Sequence, residues 1–194
     1  MKRSQGLTSL HGNQMTEKDN PMIIFRGKLD TLCAMILEAQ ALGKERGNTA
    51  FVTDLQEILE FARTLLRAEY SGSPVGDFSL LGISGADMRE RSHHPEKYFG
   101  RGHLLMHHSM GALSIRLNSL RTFAREVEIA AVAALRDKDD PSVCRGEPSA
   151  QGVPVRVCRR EDITEALNRL SSLFYILIYK YLPEDYSSAG DAGI

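Results

Sequence analysis

Apolar residues recur at three- and four-residue spacing in four long stretches of the chain, which predicts four helices that each bury one face. The stripes are, in chain order, Leu29, Leu32, Cys33, Ile36 and Ala39 with the polar Gln40; Leu55, Ile58, Leu59, Ala62, Leu65 and Leu66; Leu113, Leu117, Leu120, Ala124, Val127, Ala131 and Leu135; and Leu167, Leu170, Phe174 and Leu177. The third stripe alternates spacings of four and three, which is typical of a bundle helix.

Breaking and capping residues predict where these helices begin and end. The first lies between Pro21 and a stop at Gly43 or Gly47, and the second ends at Gly72, with Thr49 or Thr53 as its cap. The third runs from about residue 110 to 136. The fourth begins at a capping box over residues 162–165 and continues to residue 183.

The apolar segment 173–182 has enough aromatic and β-branched residues for a strand, but the helical period enters it unbroken and no second strand is available for pairing. Residues 84–98 add a short fifth helix. The predicted fold class is therefore all-α, an up-and-down bundle of about five helices. We expect a flexible segment over residues 1–21, a single helical-bundle domain over 22–183 and a flexible tail over 184–194, with an irregular connection at 138–154.

Composition and charge argue against several classes of protein. The 194 residues include 24 Lys+Arg and 25 Asp+Glu, and a net charge of −1 argues against a broad cationic surface for nucleic acid or a membrane. No apolar run reaches the length of a bilayer span, and no secretory h-region follows the N-terminus. Three scattered cysteines do not form a disulfide framework. We expect a cytoplasmic protein, and a bacterial microcompartment remains open as its location.

Polar residues on the third helix are the strongest candidates for chemistry. Asn118, Arg121, Arg125 and Glu128 follow at spacings of three, four and three, so they share one face beside the apolar stripe. Two arginines one turn apart suit the oxygens of a polyphosphate or carboxylate. Glu128 could pair with Arg125, accept from a ribose hydroxyl or hold a metal-bound water. The same spacing also fits a solvent-exposed face with ion pairs.

Two further sets of residues have both a functional and a structural interpretation. Asn168 and Arg169 stand where the fourth helix becomes strongly apolar, so they either point into a pocket or are ordinary polar positions with Arg169 reaching solvent. His103 and His107 have the spacing of a helical zinc pair, but the nearby glycines and the missing third ligand favour a loop role. Cys144 and Cys158 do not have zinc spacing, and no residue is assigned as a metal ligand.

The sequence resembles the cobalamin adenosyltransferases, more closely the ethanolamine-utilization type than the related propanediol/human type. The segments that carry the resemblance follow in the family's order, over roughly residues 7–182. They are Phe25–Asp30, Leu66–Glu69, Leu81–Ser84, Ser92-His93 with Pro95, Gly102–Leu105, Leu120–Glu128 and Glu165–Ser172. A single one of these segments is weakly specific, whereas six or more in order are considerably more so.

This resemblance implies transfer of the 5′-deoxyadenosyl group of ATP to the cobalt of reduced cob(I)alamin or another corrinoid, giving adenosylcobalamin and triphosphate with Mg²⁺ as cofactor. It implies a homo-oligomer, most often a trimer, with sites between subunits. It assigns ATP binding to Arg121, Arg125, Glu128 and Asn168, catalysis to Arg125 and Glu128, and an intersubunit salt bridge to Asp30 and Arg121. A reductase and an adenosylcobalamin-dependent enzyme are the expected partners.

The family eases the reduction of cobalt by placing a hydrophobic residue under the corrin, where it displaces the lower axial ligand. The matching segment is 103–106, so the resemblance assigns corrinoid binding to His103, Leu104 and Leu105, with one of the two leucines as the wedge. The family's N-terminal phosphate-binding loop has no counterpart before Phe25. Two alternatives remain: a corrinoid storage, delivery or sensing protein without catalysis, and a plain helical scaffold. Scattered positions for Arg125, Glu128 and Asn168 would favour either of them.

Overall fold

The computed structural model describes residues 5–136, 159–184 and 186, and within them the chain forms a helical bundle with two small hairpins. The helices are α1 (Pro21–Glu45), α2 (Thr49–Ser71), α3 (Gly85–His93), α4 (Pro95–Phe99), α5 (Gly111–Ala134) and α6 (Glu161–Lys180), with a 3₁₀ turn at His108–Met110. The strands are β1 (Leu7–His11), β2 (Gln14–Glu17), β3 (Ser79–Leu80) and β4 (Ile83–Ser84). The predicted all-α bundle is confirmed.

The four long helices pack along the stripes that the sequence predicts. α5 lies against both α6 and α1, α2 packs on α1, and α3 packs on α6. Apart from Gln40, Leu66 and Leu113, which are partly exposed, the stripe positions are almost completely removed from solvent, and the side chains of Phe25, Phe51 and Phe174 are among the largest in this core. Because burial of each such side chain contributes about 1.5–3 kcal/mol, the stripes account for the association of the helices.

Asparagines cap the first two helices, and the threonine cap predicted for the second helix is wrong. The Asn20 side chain accepts a hydrogen bond from the Met22 backbone N–H, directly before Pro21. The Asn48 side chain accepts one from the Phe51 N–H, so neither Thr49 nor Thr53 is the cap of α2. Gly72 ends α2 with a φ of 73°, as predicted, because a left-handed conformation favours a residue without Cβ.

The start of α6 differs from the predicted capping box. α6 begins one residue earlier, and Asp162 lies inside its first turn instead of capping it. The Asp162 carboxylate accepts hydrogen bonds from the Val75 N–H and from the Arg160 guanidinium, which also donates to the backbone of Ala68 and Ser73. These contacts fix α6 to the end of α2. Residues 173–180 belong to α6, so the helical interpretation is confirmed over the strand alternative.

The N-terminal segment contains a hairpin where the sequence analysis expected a flexible chain. β1 and β2 pair antiparallel, and the Arg26 guanidinium of α1 donates to the Leu10 carbonyl oxygen over 2.6 Å. β3 and β4 form a second, shorter hairpin through a turn in which Leu81 and Gly82 have φ of 54° and 71°. The predicted irregular connection at 138–154 lies outside the described residues, as do Cys144 and Cys158.

Among the residues that the structure describes, no helix combines the length and the apolar composition needed to cross a bilayer.

Candidate active site

The polar face of α5 carries two arginines in different surroundings. Arg121 is half-buried, and its Nε donates to Asn118 Oδ1 over 3.0 Å while the guanidinium carbon lies 5.6 Å from the centre of the Tyr175 ring on α6. Burial, and then the charge of Arg125, lower the pKa of Arg121 from its usual range. Arg125 is exposed, and it has no hydrogen bond or ion pair within the described part of the chain. This face therefore holds two positive charges without a carboxylate partner.

One turn further along α5, the structure brings two predicted site residues into contact. Asn168 Nδ2 on α6 donates to Glu128 Oε1 on α5 over 2.9 Å, although the two residues are 40 positions apart. Both are half-buried. The contact leaves the second carboxylate oxygen of Glu128 and the amide oxygen of Asn168 available as acceptors. Such acceptors suit the hydroxyls of a ribose.

Of the two roles considered for Arg169, the one in which it reaches solvent is wrong. Its side chain is only 12% exposed, so it does not reach out to solvent, and its guanidinium lies 3.6 Å from Glu165 on the same helix. Its aliphatic part packs beside Gly85 at the start of α3. Arg169 thus fixes α3 to α6 and is separate from the Glu128–Asn168 pair.

Residues 103–106 form an extended segment whose side chains alternate between the core and solvent. Leu104 and Met106 are half-buried and pack against the hydrophobic core, whereas Leu105 is 77% exposed. The exposed His103 contacts the Tyr175 hydroxyl through Nδ1 over 3.2 Å. Of the two predicted wedge leucines, Leu105 can contact a bound ligand with its exposed side chain, whereas Leu104 would first have to leave its contacts with the core.

The histidines do not form the helical zinc pair that their spacing allowed. His103 and His107 lie in non-helical chain, and His107 accepts from Ser109 N–H and stacks near His108 with 4.0 Å between ring centres. No group of three or more His, Cys, Asp and Glu side chains that could hold a metal ion occurs in residues 5–136 and 159–184.

Asp30 lies apart from Arg121 in the single chain. It is exposed on α1 and lines an open cavity of about 890 Å³ between α1 and α2, with Arg26 and Tyr70 among the other lining residues. Its side chain makes no hydrogen bond or ion pair in the described part of the chain. An ion pair between Asp30 and an arginine of another copy is therefore compatible with its surroundings.

The sequence analysis missed a buried ion pair between Arg26 and Glu69, which lie in two of the segments that carry the family resemblance. Arg26 donates from Nε and Nη2 to both carboxylate oxygens of Glu69, over 2.7 and 3.0 Å, and the Glu69 side chain is 4% exposed. The same guanidinium contacts the Leu10 carbonyl and the His11 ring. Arg26 thereby joins α1, α2 and β1 and forms one wall of the cavity beside Asp30.

Comparison with models of protein families identifies the family of this chain. The family model described as cobalamin adenosyltransferase matches residues 2–181, nearly the whole chain. The chain belongs to this family. The matched region contains the α5 face, Asn168 and the 103–106 segment, so all of the candidate residues lie within the family's domain.

Curated relatives agree with this assignment. The chain is 29% identical over 177 residues to the corrinoid adenosyltransferase EutT of Escherichia coli strain K12, covering 91% of the chain and 59% of that protein. It is 28% identical over 178 residues to EutT of Salmonella typhimurium, covering 92% of the chain and again 59% of the relative. The chain thus spans about three fifths of the curated relatives it matches. No solved structure matches significantly.

Proposed function

We propose that the chain transfers the 5′-deoxyadenosyl group of ATP to the cobalt of cob(I)alamin or a related corrinoid. The observation that carries the proposal is the hydrogen bond between Glu128 and Asn168, one turn from Arg125, which has no ion pair with any residue that the structure describes. Convergence of these residues favours catalysis over a storage protein or a scaffold: Glu128 and Asn168 are in contact, and Arg125 lies one turn before Glu128 on the same helix. The name of the curated relatives supports the same activity.

For this reaction the protein must position the C5′ atom of ATP and supply positive charge to the triphosphate. Cob(I)alamin is a strong nucleophile, so its cobalt can attack C5′ of ATP while the C5′–O bond breaks and triphosphate leaves with the electron pair. In the proposed arrangement Arg125 and Arg121 neutralise the departing triphosphate, and Glu128 with Asn168 holds the ribose. Fixed charges aimed at the leaving group and a fixed C5′ together lower the barrier.

The residues present fit Mg²⁺ only as an ion that the triphosphate brings with it. Mg²⁺ in proteins keeps several waters and commonly binds through one or two carboxylates plus substrate phosphates. Asn168 occupies one oxygen of Glu128 and leaves the other available, which is enough for one ligand or one metal-bound water. When bound, Mg²⁺ would supply positive charge to the phosphates.

For the corrin half of the site we propose Leu105 as the hydrophobic wedge. Its side chain is 77% exposed on the extended segment, whereas Leu104 packs toward the core. Replacing Leu105 with alanine should slow turnover that starts from cob(II)alamin by about tenfold or more and leave turnover from pre-reduced cob(I)alamin within about twofold, because the wedge assists only the reduction. Equal rates from cob(II)alamin for the wild type and L105A would contradict this role. We also assign His103 to the corrinoid site.

We further propose that the working form is a homotrimer in which Asp30 pairs with Arg121 of a neighbouring copy. Sedimentation equilibrium should give three chains per particle, and D30A should shift the particle toward smaller species. The proposed setting is the cytoplasm, with or without a microcompartment, alongside a reductase that delivers electrons and an enzyme that uses adenosylcobalamin.

The decisive experiment is an anaerobic assay with chemically reduced cobalamin and MgATP. We expect a light-sensitive Co–C product and one triphosphate per corrinoid, and a parallel reaction with a corrinoid lacking the lower nucleotide identifies the preferred acceptor. N168A should lose most of the activity, because Glu128 then lacks its partner and the ribose one contact. Corrinoid binding without any adenosylated product would instead establish the non-catalytic alternative.

A further inference from the structure

Two tyrosines of α6 hold the backbone of the segment that carries Leu105. The Tyr179 hydroxyl donates to the Gly102 carbonyl oxygen over 2.8 Å, and the Leu104 N–H donates to the Tyr175 hydroxyl oxygen over 3.1 Å. The two hydroxyl oxygens are 3.0 Å apart. Residues 102–104 are otherwise without helix or strand pairing, so these side chains supply the hydrogen bonds that a regular element would provide.

The direction of every bond in this network follows from counting protons. A carbonyl oxygen can only accept, so the single proton of Tyr179 is directed to Gly102. Tyr175 must then donate to Tyr179, and its oxygen accepts from the Leu104 N–H and from His103 Nδ1. The Tyr175 oxygen therefore uses its donor and both of its acceptor sites, which requires a proton on His103 Nδ1.

The surroundings hold the tyrosine pair rigid. Tyr179 is 9% exposed, and its ring stacks on Phe99 with 4.5 Å between ring centres and an angle of 14°. The two tyrosine rings meet edge to face at 5.3 Å. Burial raises the pKa of Tyr179, so its hydroxyl stays a donor across the working pH range.

The face of the Tyr175 ring contacts the other half of the site. The guanidinium carbon of Arg121 lies 5.6 Å from the ring centre, a cation–π distance, while the hydroxyl at the far end of the same ring holds Leu104 and His103. A single rigid side chain thus lies between the arginine proposed for the triphosphate and the segment proposed for the corrin.

We propose that Tyr175 is a positioning residue that sets the corrin segment at a fixed distance from the nucleotide side of the site, with Tyr179 fixing Tyr175. This inference rests on the proposed adenosyl transfer. Through its hydroxyl Tyr175 presents Leu105 to the lower face of a corrin, and through its ring it orients Arg121. The two functions reside on different atoms of one side chain, so they can be removed separately.

The test compares Y175F with Y181F. Y175F keeps the ring and loses the hydroxyl, so we expect turnover from cob(II)alamin, with a one-electron reductant supplied, to fall about tenfold and turnover from pre-reduced cob(I)alamin to stay within about twofold. Y181F is the matched control, because the Tyr181 hydroxyl at the end of the same helix donates to Asp54 over 2.6 Å, away from the corrin segment. Both rates of Y181F should equal those of the wild type.

A third variant and a substrate-free measurement separate the possible results. Y175L also removes the ring, so the KM for ATP in the cob(I)alamin assay should rise about threefold beyond that of Y175F. Hydrogen exchange of residues 102–106 should be faster in Y175F than in Y181F without any substrate. If the wild type is active and Y175F loses both rates equally or neither, Tyr175 has no positioning role. If the wild type forms no product, the proposed function itself fails, and this inference with it.

Discussion

The charge arrangement on α5 predicts that Arg125 can be removed at no cost in stability. Arg125 is exposed, has no ion pair within the described residues, and stands one turn from Arg121. Like charges at this spacing repel by about 0.2–0.5 kcal/mol, and alanine has the higher helix propensity. Arg125→Ala should therefore change the free energy of unfolding by no more than about 0.5 kcal/mol, in the stabilising direction.

The same substitution should nearly abolish catalysis. A fixed group that stabilises developing charge is worth about 10²–10³ in rate. We expect kcat/KM for ATP with pre-reduced cob(I)alamin to fall by about 100-fold or more in R125A. The loss should be seen equally from cob(I)alamin and cob(II)alamin, because Arg125 is proposed to act on the triphosphate and not on the reduction of cobalt.

Arg116 on the same helix provides the matched control. Its guanidinium lies 3.3 Å from Glu38, and the Arg116 side chain is partly exposed while that of Glu38 is largely exposed. R116A should lose about 0.2–1 kcal/mol of stability and keep its activity within about twofold. Urea unfolding followed by circular dichroism and the cob(I)alamin assay give both quantities for each variant. An R125A protein that is destabilised by more than about 1 kcal/mol, or that turns over at the wild-type rate, would refute the reasoning.

Three further predictions concern stability and reactivity. Glu69→Ala should lower the free energy of unfolding by about 3 kcal/mol in urea titrations, because Arg26 is left partly buried without its carboxylate; a loss below about 1 kcal/mol would contradict this. Burial raises the pKa of the Cys33 thiol, so mass-mapped alkylation at pH 8 should label Cys33 only after unfolding. The Arg160 hydrogen bond, followed by the Val75 N–H, lowers the pKa of Asp162 below its ordinary value of about 3.9, so its stabilisation is present above that pH and disappears as the pH falls through the folded pKa. D162N should flatten the acid limb of the stability–pH curve, and an unchanged limb would count against the assignment.

The long helices could be predicted because their apolar period is continuous. Leu117, Leu120 and Ala124 of α5 are fully buried, as the alternating spacing predicts, and the same spacing turns Arg121 and Glu128 toward one edge of the bundle. Helix ends were less predictable, since Asn48 and Thr49 are both capping residues and only the backbone geometry selects between them. The functional roles of the α5 residues remain proposals.

Contacts between distant segments could not be predicted from period or spacing. Arg26 and Glu69 are 43 residues apart, and nothing local indicates that each is the other's partner. Tyr175 and Tyr179 fall in a run of core residues, so the apolar pattern predicts only a packing role for them, as it does for Phe174. Their hydroxyls acquire a role only when the 102–104 backbone lies against α6, and sequence periodicity does not describe such an irregular segment.

The N-terminal hairpin and the histidine pair both show that sequence patterns fail where tertiary contacts determine the secondary structure. β1 and β2 have five and four residues, too short and too polar for a distinct alternating signal, yet Arg26 fixes them to α1. The spacing of His103 and His107 is meaningful only on a helix. The segment there is extended because Leu104 and Met106 both pack against the core while the Tyr175 hydroxyl holds the Leu104 N–H. A spacing rule therefore applies only after the secondary structure is known, and at the 103–106 segment it is the tertiary contact with α6 that determines the secondary structure.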